Sequence, residues 1–128
     1  GTATVPGTYT PLTPARILDT RSANGVPGTS PVPGQGSVDP QVTGRGGVPA
    51  AGASTVVLNV TSTSADLPSF VTVWPAGETR PNASNLNTAP GQDTPNLVVA
   101  KVGANGQVSL YNNSGTGHLV VDVVAWAP

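Results

Sequence analysis

Three groups of side chains in this sequence have types and spacing that chemistry could use. His118 and Asp122 lie in HLVVDVV, a base and an acid that a hydroxyl would complete as a nucleophilic triad. In an extended strand both point to one face, but four residues separate their Cα atoms by roughly 13 Å, too far for a direct hydrogen bond. They are not a base–orienter pair. Asp122 is flanked by Val, so a half-buried carboxylate paired with an arginine is expected, because an unpaired buried charge is costly. Asp19 and Arg21, in LDTR, share a strand face with Ile17. As an ion pair they would hold the fold, and the five donors of Arg21 could also clamp the loop that follows. As a recognition element, Arg21 would take a sugar or a carboxylate. The structural role is the expected one.

The third group is Trp74, Arg80, Asn82, Asn85 and Asn87, in VWPAGETRPNASNLN. An aromatic face suits the C–H face of a pyranose, and amides both donate and accept, which suits uncharged hydroxyls. Of these, Trp74, Arg80, Asn85 and Asn87 are the candidate ligand-binding residues, for a neutral polysaccharide or wall glycan. The competing reading has Trp74 closing the core with Phe70 and Thr72 on its face, while Asn85 and Asn87 bond turn backbone. Trp126 and Tyr111 carry the same ambiguity.

Other chemistry has little to work with. The chain of 128 residues has no Cys, one His and six scattered acids, with no calcium-loop spacing. No metal, no cofactor and no catalytic residue is expected. Charged residues make up 9 % of the chain, too few to build the clusters of tuned titratable groups that enzymes use. The net charge of −1 gives no electrostatic footprint for nucleic acid or for an anionic membrane. No apolar run approaches the roughly 18 residues needed to span a bilayer.

These residues must be positioned by strands. Residues 1–8 read as a Thr/Pro/Gly linker and residues 9–128 as one domain. The first convincing strand is Arg16–Arg21. A Gly/Pro-rich stretch follows, with one short strand in Ser37–Thr43 that Pro40 confines to an edge or a bulge. From Ser54 the apolar residues alternate, with Val56, Leu58 and Val60 on one face. FVTVWPAG, a short segment in Ala83–Thr88, NLVVAKV, QVSLYN and HLVVDVVAW complete the set. The last three read as successive hairpins, with Asn105-Gly106 as a turn signal. Pro recurs too often for helices. The expected fold is all-β, an antiparallel β-sandwich of about seven to nine strands, immunoglobulin-like or jelly-roll-like. Val56/Leu58/Val60 and Leu119/Val121/Val123 should face the core from central strands.

The segments PLTPARILDTR, VTGRGGVPAAGASTVVLNVTST, VTVWPAG, RPNASNLN and VSLYNNSGTGHLVVDVVAW, taken together, resemble a module found repeatedly in secreted actinobacterial proteins. There it accompanies peptidoglycan amidases and other cell-wall or polysaccharide hydrolases. The resemblance runs from Tyr9 to Trp126. It implies a non-catalytic β-sandwich linked to a catalytic or surface domain, secreted and associated with the cell wall. Its implied partner is a polysaccharide or cell-wall glycan. The alternative is a structural stalk, spacer or self-assembling surface unit. A glycan binder should expose a Trp or Tyr, whereas a spacer should bury them all or use them at a protein–protein contact.

Overall fold

The computed structural model describes residues 8–128, so the linker expected over residues 1–8 lies, but for Thr8, outside the described residues. Nine strands run through the described residues: β1 (Thr10–Asp19), β2 (Val32–Pro33), β3 (Gly36–Val38), β4 (Thr55–Thr63), β5 (Ser69–Pro75), β6 (Leu86–Thr88), β7 (Thr94–Lys101), β8 (Val108–Asn112) and β9 (Thr116–Ala127). The only helical turn described is a three-residue 3₁₀ turn at Ala104–Gly106. One sheet has the order β1-β9-β4-β7, with β2 also paired to β9. The other has the order β3-β8-β5-β6. All pairings are antiparallel, and the two sheets pack face to face as a β-sandwich.

Alternation decides what each strand buries. Val56, Leu58 and Val60 of β4 are fully buried, as are Val121 and Val123 of β9, with Leu119 almost so. Both strands are central; neither carries Pro, and the one Gly, Gly117, sits at the start of β9. The facing sheet contributes Val71, Val73, Val108 and Leu110. Val42 and Val48, from the Gly/Pro-rich stretch, are also part of this core. That stretch therefore seals the sandwich rather than hanging off it.

The first strand begins earlier than the expected Arg16, despite Pro11 and Pro14. Proline is tolerated because β1 is an edge strand, and its register breaks between Pro11 and Ala15 and again between Arg16 and Leu18. The second break turns both Ile17 and Leu18 into the core. Strand β3 is shorter than expected but lies at a sheet edge, just before Pro40.

The expected hairpins are absent. β7 and β9 belong to one sheet and β8 to the other, so both connections cross between sheets. Asn105 and Gly106 do adopt the left-handed conformation that an Asn-Gly turn uses, with φ of 59° and 74°. The strands leaving that turn nevertheless diverge. β7 pairs with β4 over eight residues and β8 with β5 over five. The turn itself is tied to the end of β5 by Ala104 N–H to the Ala76 carbonyl at 2.8 Å. Gly103 permits this approach, because a side chain there would strike the backbone of Ala76.

Candidate functional site

Strand β5 presents Phe70, Thr72 and Trp74 on the face of its sheet that points away from the core, since Val71 and Val73 take the inner positions. β8 sets Tyr111 opposite Thr72 and Ser109 opposite Trp74. Residues 76–85 then fold back across this outer face. Gly77 makes the reversal with φ of 84°.

Five contacts hold the covering segment down. The Trp74 indole N–H donates to the Glu78 carbonyl at 2.9 Å. The guanidinium carbon of Arg80 sits 3.6 Å over the centroid of the Tyr111 ring. The Thr72 hydroxyl donates to the Ala83 carbonyl at 2.6 Å. The side-chain oxygen of Asn85 accepts the Val73 N–H at 2.8 Å, while the Asn85 N–H donates to the Val71 carbonyl at 2.9 Å. Asn85 thus completes the edge of β5 just where β6 begins.

Between this segment and the sheet lies a cleft of about 470 Å³. Phe70 and Thr72 line it from the sheet, and Arg80, Asn82 and Ser84 from the covering segment. Its volume falls in the roughly 300–1,000 Å³ of small-molecule sites. Tyr111 is 6 % exposed and lies beneath Arg80, with its ring 6.3 Å from that of Phe70 at an angle of 51°. No carboxylate lines the cleft.

The four candidate residues take different positions around this site. Arg80 lines the cleft. Trp74 is half-buried on the same sheet face but does not line the cleft, and it lies outside the core. Asn85 spends its side-chain oxygen on backbone, but on the Val73 N–H of strand β5 and not on a turn. Asn87 is exposed and accepts from the Ser84 hydroxyl at 2.8 Å. It is Trp126 that packs against the core. Asn82, of the same amide-rich group, also lines the cleft. Phe70, expected only as a core neighbour of Trp74, lines it too, a role that depends on which segment folds over its strand. Strand alternation alone could have set Tyr111 on the face opposite Leu110.

The other two groups serve the fold. Asp122 accepts from Arg16 Nε at 3.0 Å, the arginine pairing expected of it. Asp19 is 5 % exposed and receives the Nε and Nη2 of Arg21, both at 2.9 Å, the Arg21 backbone N–H at 3.0 Å, and Arg16 Nη1 at 3.4 Å. Hydrogen bonding from the Arg21 side chain outweighs burial and holds the Asp19 carboxyl down at about 2. The loop clamp expected of Arg21 belongs to Arg45, which donates to the Ile17 carbonyl at 2.7 Å and to the Asn24 side-chain oxygen at 2.8 Å. His118 shares a 2.8 Å hydrogen bond with the hydroxyl of Thr20, a residue only 1 % exposed, and that hydroxyl also accepts the Leu119 N–H. Among the described residues no three acids or histidines converge on a point that could hold a metal ion.

Comparison of the sequence with protein-family models and with curated proteins found no match to either.

Proposed function

We propose that this chain is a non-catalytic binding module that holds a polysaccharide or cell-wall glycan in the cleft over the β5–β8 face, as part of a secreted protein. The observation that carries the reading is the cleft itself. It joins the aromatic side chain of Phe70, the amide of Asn82 and the guanidinium of Arg80 in one concave surface. Such a surface suits a ligand that is apolar on its ring faces and hydroxylated at its rim. Trp74 and Asn85 act by fixing the covering segment.

A second reading, a spacer or stalk, has its own support. Tyr111 is buried, Trp126 packs on the core, and the Trp74 N–H is bonded internally. Tyr9, 45 % exposed, is the only Trp or Tyr fully on the surface.

Co-sedimentation with purified bacterial cell walls and a panel of insoluble polysaccharides separates the two. The expected affinity is on the order of micromolar to millimolar, as a small, solvent-competed site provides. Asn82→Ala should lower retention at an unchanged melting temperature. Failure of the wild-type protein to sediment with any polymer rejects the binding reading and favours the spacer. Retention that survives both Asn82→Ala and Phe70→Ala moves the site out of the cleft.

A further inference from the structure

The chain has five basic residues, and their partners differ. Arg16 and Arg21 form ion pairs with Asp19 and Asp122. Arg45 spends its donors on the Ile17 carbonyl and on Asn24. Lys101 stands exposed at the end of β7, away from any cleft described above. Arg80 alone is both placed and unspent. It sits at van der Waals distance over the Tyr111 ring, and it makes no hydrogen bond or ion pair with another described residue.

A guanidinium that lies against a ring uses its face. Its N–H donors lie in its plane and point outward from the edge. The Tyr111 platform is itself fixed, buried beside Phe70 and with its hydroxyl donating to Asn113 at 3.2 Å. Arg80 is thus held in position before any ligand arrives, which reduces the ordering cost of binding. Its charge is uncompensated, because the cleft contains no acid and Glu78, two residues away, forms no ion pair with it. A neutral sugar seated on Arg80 would strip water from a cation and return only neutral acceptors. A carboxylate would return two charge-assisted hydrogen bonds to the guanidinium edge. Asn82 is also free of hydrogen bonds to other described residues and lines the same cleft, so its amide remains available for a hydroxyl.

We infer that the cleft selects a sugar bearing a carboxylate, with the carboxylate on the outward edge of Arg80 and a ring hydroxyl on Asn82. This rests on the glycan-binding reading and replaces the neutral ligand expected from the sequence with an acidic one. It also makes binding sensitive to salt, since a charge pair at an exposed guanidinium is screened by added salt.

The test uses the whole chain and two polymers, purified bacterial cell walls and polygalacturonate, each in its native form and after carbodiimide amidation of its carboxylates. Retention on at least one native polymer should fall about tenfold on amidation, the loss expected for a charge-assisted bidentate contact. Raising the salt should reduce retention on the native polymer but not on the amidated one. Arg80→Gln should bind both forms alike, at an unchanged melting temperature. Equal retention of native and amidated polymers by the wild type overturns the inference while leaving glycan binding intact. Retention on walls that survives amidation but is lost when phosphate is stripped from them overturns the carboxylate in favour of a phosphate. Retention on no polymer in any form removes the glycan-binding reading itself, and the inference with it.

Discussion

Asp19-Thr20-Arg21 and Glu78-Thr79-Arg80 are the same acid–Thr–Arg pattern at two places in one chain, and they end in opposite states. At the end of β1 the arginine folds back on its acid, giving it three donors of its own while Arg16 adds a fourth. Over β5 the acid is left alone and the arginine goes to a tyrosine ring instead. The surroundings make the difference. Asp19 is buried and the chain turns tightly after it, with the Asn24 N–H returning to the Asp19 carbonyl at 3.1 Å. An unpaired carboxylate there would be expensive, so the arginine is recruited to it. Glu78 is exposed and keeps its water, so it exerts no such demand. Arg80 is then free to lie on the aromatic face that β8 presents. One pattern thus serves the fold where its acid is buried, and leaves a cation free for a ligand where its acid is wet.

The sharpest way to break this contrast is to neutralise Asp19. Asp19→Asn should cost on the order of 1–2 kcal/mol at pH 7, the value of the depressed carboxyl discounted because its arginine partners are half exposed. The sign follows from a folded value of about 2 against 3.8 for the free group. The stabilisation is fully present above 3.8 and is lost as pH falls through about 2. Urea denaturation of wild type and variant between pH 7 and pH 2 should therefore show a gap that closes only at the acid end. A gap independent of pH would remove the charge from the explanation.

Asn85→Ala probes the joint between the two roles on the cleft side. It leaves the Val73 N–H without its 2.8 Å partner and should cost about 1 kcal/mol. Hydrogen exchange should rise at Val73 and across residues 78–84 and stay unchanged at the end of β1. An equal rise at both places would mean that the two regions open as one unit.

The smallest effects should come from the second acid–Thr–Arg pair itself. Glu78→Gln and Arg80→Gln should each move stability by about 0.5 kcal/mol at most, since Glu78 has no ion pair and the exposed Arg80 loses only its cation–π contact with Tyr111. A double-mutant cycle between them should show no coupling. Measurable coupling would mean that Glu78 and Arg80 pair in solution, and the comparison with Asp19 and Arg21 would collapse.

The sequence by itself determined the all-β character, the identity of the buried faces and the central place of β4 and β9. These follow from period-2 alternation and from where Pro is tolerated, and both act within a strand. It also marked residues 74–87 as the segment where an aromatic, a guanidinium and several amides gather, and it marked Asp122 as needing an arginine. Only the tertiary structure decided which sheet each strand joined. The Asn105-Gly106 turn has hairpin geometry, yet pairing of β7 with β4 and of β8 with β5 draws its arms apart. The individual roles in the site were decided in the same way. Asn85 binds backbone because β5 leaves the Val73 N–H to be satisfied. Arg80 finds Tyr111 because β8 lies beside β5 with that ring on the outer face. Hydrogen-bond demand and ring position arise from neighbours 12 to 31 residues away in the chain. Local pattern carries no record of them, because contacts at that range exist only once the sheets have assembled.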